Sequence, residues 1–265
     1  MTDLDGSMET HLMQPADLDV PALAQIRDIR FSPDLLADKV ILITGAGAGI
    51  GRTLARTAAA HGATAILLGR TVAKLEAVYD EIVDAGGPTP GIAPVDLQHA
   101  TMADYATLAD ALLAEHGRLD GLVHNAAILG DRVPLTHYPD ATFRNVMTVN
   151  VDAVVRLTQV TLPLLAVAAQ SNVIFTSSGV GRTPRAYWGA YAVSKYALEG
   201  YATLLADEIT GTGNTRVHIL NPGATGTSMR AEAYPAEDPA TLQTTSDLMP
   251  RYLWALGGRR RDGPA

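Results

Sequence analysis

Val40-Ile41-Leu42-Ile43 is an unbroken apolar run that leads through Thr44 into Gly45-Ala46-Gly47-Ala48-Gly49-Ile50-Gly51 and then into an Ala-rich stretch ending at His61. A strand without polar alternation must be buried on both faces, which is the condition of a strand inside a parallel sheet. Parallel neighbours cannot be joined by tight hairpins, so helical crossovers have to follow such strands. The chain meets that need repeatedly. Gly62 closes the helical stretch from Ile50 to His61, and Thr64-Ala65-Ile66-Leu67-Leu68 is a second buried-strand run. Helical patterns span 72–85, 102–116, 143–169 and 191–209, and extended runs lie at 91–95, 121–124, 172–176 and 216–220. Six strands alternating with helices predict an α/β fold on a single doubly wound parallel sheet, with helices on both faces. Pro163 predicts a kink or break within 143–169.

Composition excludes several alternatives. At 265 residues with 47% hydrophobic positions, the chain can bury one large core. Its net charge of −8 offers no basic surface to a phosphate backbone or anionic lipid, so neither nucleic acid nor membrane is an expected partner. No apolar run nears the roughly 20 residues of a bilayer span. No secretory or transit signature opens the chain, and there is no cysteine for a disulfide or thiolate metal site. A soluble, cytoplasmic protein is the expectation. The 7 histidines lack zinc-type spacing, so no metal is expected, and Arg259-Arg260-Arg261 reads as a solvated tail. Residues 1–38 carry a charge of −6 and the remainder −2. Residues 1–30 therefore read as a poorly ordered acidic arm, and 38–265 as the folded domain. Within it 228–256, polar before an apolar stretch, is the candidate substrate lid.

The glycine run sits where a dinucleotide-binding turn requires it, between a strand and a helix. Gly45, Gly47, Gly49 and Gly51 permit a tight turn and close backbone approach, and Ile50 opens a helix whose first amides can face a pyrophosphate. No Lys-Ser or Lys-Thr pair follows Gly51, which separates the loop from Walker-type phosphate loops. An NAD site carries an acidic residue near the end of the second strand for the ribose 2′-hydroxyl, whereas this chain has Gly69-Arg70 there. A guanidinium suits a 2′-phosphate. NADP(H) is the expected cofactor, with NAD(H) as the alternative.

Tyr191-Ala192-Val193-Ser194-Lys195 sets a phenol and an ammonium at i and i+4 on a helical stretch. At about 4 Å and an effective dielectric near 20, the ammonium favours the phenolate by roughly 4 kcal/mol, about 3 pK units, bringing the tyrosine toward neutrality. Together with the glycine run, this pair resembles the short-chain dehydrogenase/reductase family over roughly residues 38–251. Further segments follow the family's order: Asp96 with Leu97 after the third strand, His124-Asn125-Ala126-Ala127, and Asn150 within Val149-Asn150-Val151. Thr176-Ser177-Ser178-Gly179 supplies the serine, with Ser178 at the family's spacing of 13 from Tyr191; Asn221-Pro222-Gly223 follows with Thr225 and Thr227. Within the family, 66–70, 176–182 and 247–254 resemble the YciK-like oxidoreductases.

The resemblance implies a catalytic set of Asn150, Ser178, Tyr191 and Lys195. Tyr191 is implied as the general acid or base, Lys195 as the group lowering its pKa and holding the nicotinamide ribose. Ser178 is implied to bond the substrate oxygen, and Asn150 to position a water leading from Lys195 to solvent. Asp96 and Leu97 are implied at the adenine, Asn125 along the cofactor, and Pro222, Gly223, Thr225 and Thr227 around the nicotinamide carboxamide. The implied substrate is a small-molecule alcohol or carbonyl compound. The implied assembly is a homodimer or homotetramer, pairing through the 143–169 and 191–209 helices. Two features depart from the family pattern: His124 and Ala127 replace an Asn and a Gly, and no residues after 257 read as the family's last strand. Two other classes compete. A catalytically idle NADP(H)-binding regulator or scaffold would use the acidic arm for a partner but has no need of an activated tyrosine. A sugar-nucleotide epimerase or dehydratase shares the Tyr-Lys pair but usually carries a longer C-terminal substrate region.

Overall fold

β1 (Val40–Thr44) is buried at every position, as its apolar run demands, and pairs in parallel with β2 (Thr64–Gly69) on one side and β4 (Gly121–His124) on the other. β3 (Gly91–Pro94) lies outside β2, while β5 (Ser171–Thr176) and β6 (Thr215–Leu220) extend the opposite edge, giving the parallel order β3-β2-β1-β4-β5-β6. The structure is a computed structural model and describes residues 13–26, 28–209 and 213–257. One face of the sheet is covered by α1 (Leu23–Ile26), α2 (Gly49–Ala60), α3 (Val72–Asp84) and α9 (Met249–Leu256), whose buried side chains include Ile26, Leu54, Leu75 and Tyr252. The other face is covered by α4 (Met102–His116), α6 (Ala153–Val167) and α7 (Gly189–Ile209), through Tyr105, Leu157, Leu198 and Ala202. Strand order reverses between β1 and β4, where doubly wound sheets open their ligand crevice.

The predicted 143–169 helix is interrupted, but not at Pro163. α5 (Asp140–Met147) runs into a π-helical turn, Thr148–Asp152, before α6 resumes the α-helical path past Pro163 to Val167. An extra residue in one turn re-aims the side chains it carries, and such bulges concentrate at functional sites. Asn150 is in this one. Residues 140–167 form the one described helical run long and apolar enough to cross a bilayer by length and composition, and 50% of its apolar window is buried inside the fold.

Two segments differ from the sequence reading. Residues 13–26 lie against the body instead of forming a loose arm, because Leu18, Val20 and Ile26 are buried in the two cores. Asp19 makes a parallel bridge to Ile219, and Val20 N donates to Ile219 O at 2.9 Å, so the segment covers the edge of β6. Arg182 grips Asp19 through both terminal nitrogens at 2.6 and 2.7 Å; Arg251 donates to Pro21 O and Val20 O at 2.9 and 3.0 Å. Residues 1–12 and the Arg259–Arg261 stretch lie outside the described residues.

The 228–256 region divides in two. α8 (Ser228–Ala233) borders the crevice, whereas Leu248 and α9 belong to the core under the sheet. Tyr252 Oη meets Thr176 Oγ1 at 3.0 Å and Leu256 O accepts from Asn172 Nδ2 at 3.2 Å, so α9 is a structural helix. Its apolar residues drive it inward.

Deleting residues 1–22 removes Leu18 and Val20 from their contacts, each worth about 1.5–3 kcal/mol on burial. The thermal unfolding midpoint is expected to fall by roughly 5–15 °C by calorimetry; a midpoint equal to that of the full chain would mean the segment does not pack.

Candidate active site

The crevice begins at the β1–α2 turn. Gly45 and Gly49 hold φ of 69° and 53°, a region L side chains rarely enter. A Cβ on Gly51 would stand 2.3 Å from Gly45 O, so the helix can approach the turn only with glycine there. Ala48 caps α2 without a side-chain hydrogen bond, which leaves the first amides of the helix free of an internal side-chain acceptor. Beyond the turn, Asn125 Nδ2 donates to Thr44 O at 3.0 Å, and Asn125 N and Ala126 N donate to Thr44 Oγ1 at 2.9 Å each.

Two clefts meet along Gly45, Ala48, Ala126 and Ala127 and form one trough over the strand ends. The first, about 320 Å³, is lined by Gly47, Arg70, Lys74, Asp96 and Leu97. The Asp96 carboxylate is held below the usual range by His99, with the Gln98 amide and nearby Arg70 acting in the same direction. The second, about 250 Å³, is lined by Ile50, Asn125, Ser178, Tyr191, Lys195 and the Pro222–Thr227 loop. Within that loop Thr225 Oγ1 donates to Pro222 O at 3.0 Å and accepts from Gln243 Nε2 at 3.1 Å; Thr227 caps α8 by accepting from Arg230 N at 3.2 Å. Trp188, Met229 and Ala233 close the apolar end. A glycine turn under free helix amides, cations at one end and a lysine at the other fit an anionic dinucleotide laid along the trough.

Tyr191 and Lys195 come together as their i, i+4 spacing requires, yet their electrostatics differ from the sequence expectation. The Lys195 ammonium lies 5.6 Å from the centroid of the Tyr191 ring and donates to Thr176 O at 2.7 Å. Burial raises the Tyr191 phenol above its ordinary range, opposed by a hydrogen bond with Ser178. Burial likewise brings Lys195 down to about 8, with the Glu199 carboxylate acting in the opposite direction. Desolvation therefore outweighs attraction in this cavity. Ser178 faces Tyr191, whereas neighbouring Ser177 turns away to Glu199 at 2.5 Å, which distinguishes the two serines.

Asn150 lies behind the trough, 1% exposed. Its Oδ1 accepts from Ile128 N at 2.9 Å, and its Nδ2 donates to Ile128 O at 3.0 Å and Ser194 Oγ at 3.0 Å. The π turn thus ties the post-β4 loop to the helix bearing Tyr191. His124, which replaces the family's Asn, is buried beside Phe175 at 5.1 Å between ring centroids and meets Thr158 Oγ1 at 2.8 Å. Burial drives it down to about 3, so it stays neutral near pH 7. Sequence reasoning missed Trp188 and the Glu199–Arg182 pair. The one available signal was Glu199 a single turn beyond Lys195 on the same helix face.

Comparison with known proteins identifies the family. The family model for short chain dehydrogenases matches residues 39–238. The Escherichia coli K12 oxidoreductase YciK, itself uncharacterized, is 47% identical over 232 residues, covering 87% of this chain and 91% of its own. A solved short chain dehydrogenase from Salmonella enterica superposes with a TM-score of 0.86 at 46% identity, covering 88% of this chain and 96% of that one. A related Escherichia coli CFT073 structure, complexed with NADPH, gives 0.83 at 47% identity over 86% of this chain and 94% of its own. On the fold, the trough and these relatives together, the chain belongs to the short-chain dehydrogenase family, in its YciK-like branch, and is an NAD(P)-dependent oxidoreductase.

Proposed function

We propose that this enzyme interconverts an alcohol and a carbonyl compound by hydride transfer, with NADP(H) as its preferred cofactor. The observation that carries the reading is the convergence of Ser178, Tyr191 and Lys195 in a cleft continuous with the glycine turn and Arg70. The nicotinamide, when bound, supplies or accepts the hydride at the substrate carbon.

The chain's own residues do the rest. Arg70 and Lys74 hold the 2′-phosphate end, with Asp96 and Leu97 at the adenine. The α2 amides, Gly45, Gly47 and Gly49 hold the pyrophosphate, and Asn125 flanks the cofactor's path. Pro222, Gly223, Thr225 and Thr227 hold the carboxamide end. Tyr191 stays protonated at neutral pH because burial raises its phenol, so it is ready to give its proton to a carbonyl oxygen. In the oxidative direction it takes that proton back. Ser178 donates to the same oxygen as negative charge develops there. Lys195 anchors the turn after β5, and its positive charge favours the phenolate left when Tyr191 gives up its proton, which solvent then restores. Asn150 fixes the π turn from behind. Trp188, Met229 and Ala233 present an apolar wall to the substrate body.

Tyr191→Phe is expected to lower kcat for carbonyl reduction by about 10²–10⁴-fold while NADPH binding persists; steady-state kinetics that match the unaltered enzyme would refute the assignment. Arg70→Ala is expected to weaken NADPH binding by about 10–100-fold and leave NADH nearly unchanged, since one charge-assisted contact is lost. Fluorescence titration with both cofactors checks this, and an unaltered preference would exclude Arg70 from the 2′-phosphate.

A further inference from the structure

Glu199 is buried one turn beyond Lys195 on α7, outside the set assigned to the reaction. Its Oε1 accepts from Ser177 Oγ and its Oε2 from Arg182 Nε, each at 2.5 Å. Arg182 extends the chain outward to Asp19 in the N-terminal segment. Ser177 stands between Thr176, whose carbonyl takes the Lys195 ammonium, and Ser178, which bonds Tyr191. A carboxylate that fixes Ser177 therefore fixes the turn presenting both neighbours. The turn also presses against α7: a Cβ on Gly181 would stand 3.0 Å from both Ser177 Oγ and Lys195 Cβ. A buried carboxylate with two partners of this kind is costly to disturb.

We propose that Glu199 is a positioning residue for the Tyr191–Lys195 pair, anchored through Arg182 to Asp19, so that the N-terminal segment is coupled to the catalytic turn. What the pair does rests on the alcohol–carbonyl reading; the coupling is a property of the chain itself. The electrostatics run the same way, because Glu199 supports the charged form of Lys195 against burial. The other titratable groups facing Lys195 are Tyr191 and the neutral His124, and Glu199 itself faces Ser177 and Arg182.

The chain has three lysines, Lys39, Lys74 and Lys195, so NMR of side-chain-labelled lysine on the full chain resolves Lys195. Glu199→Gln is expected to lower the Lys195 titration midpoint by about one pH unit, and kcat for NADPH-dependent carbonyl reduction by about tenfold with KM for NADPH unchanged. Arg182→Gln keeps the carboxylate but removes its countercharge, and is expected to raise the midpoint. General loosening of the fold would not move the two variants in opposite directions. A midpoint unmoved in both, or moved the same way, overturns the proposal. If Glu199→Gln does not fold, the sign for Arg182→Gln decides alone. Opposite shifts in a protein that reduces no carbonyl would keep the coupling and remove the reaction.

Discussion

The hydroxyl of Thr44 joins the two strands between which the fold changes direction. It donates to Val123 O at 3.2 Å and accepts from the amides of Asn125 and Ala126 at 2.9 Å each, binding the end of β1 to the loop after β4. Crossovers leave this junction on opposite faces of the sheet, so no helix fills it and a crevice remains. Every strand points the same way, and therefore every strand-end loop opens onto that crevice. The glycine turn, the π turn carrying Asn150, the serine turn and the Pro222–Thr227 loop meet here because a parallel sheet permits no other end.

Placing chemistry in such a crevice means burying polar groups, and the structure compensates each one. His124 stacks on Phe175 and meets Thr158, which makes it a neutral packing residue in the place where the family has an amide. Asn150 spends both ends of its amide on protein partners, and Lys195 spends its ammonium on Thr176 O. Unpaired, such groups would cost several kcal/mol in an apolar setting. Paired, they leave Tyr191 and Ser178 with polar atoms directed at the cleft.

Much of this was legible in the sequence. The six apolar runs marked the strands because parallel strands are buried on both faces, and the order of glycine turn, Asn, Ser, Tyr and Lys marked the crevice. The π turn was not legible, since one added residue per turn leaves the apolar periodicity almost unchanged. The fixed N-terminal segment was hidden because its anchors, Arg182 and Arg251, come from distant parts of the chain. The 249–256 stretch read as a lid because an apolar run after a polar loop does not reveal which side of the sheet it covers. The tyrosine's acidity is not legible in the spacing for a related reason: spacing gives the proximity of a charge, while burial, which raises the phenol here, depends on the whole fold.

The proposed reaction depends on the trough delivering a hydride to a carbon whose oxygen lies beside Tyr191. Its most direct test is a single turnover with NADPH deuterated at the transferring C4 position and a panel of carbonyl compounds, read by mass spectrometry of the product. One deuterium on the new carbinol carbon is the result predicted. Cofactor that binds in the trough yet leaves every carbonyl compound without deuterium would contradict it.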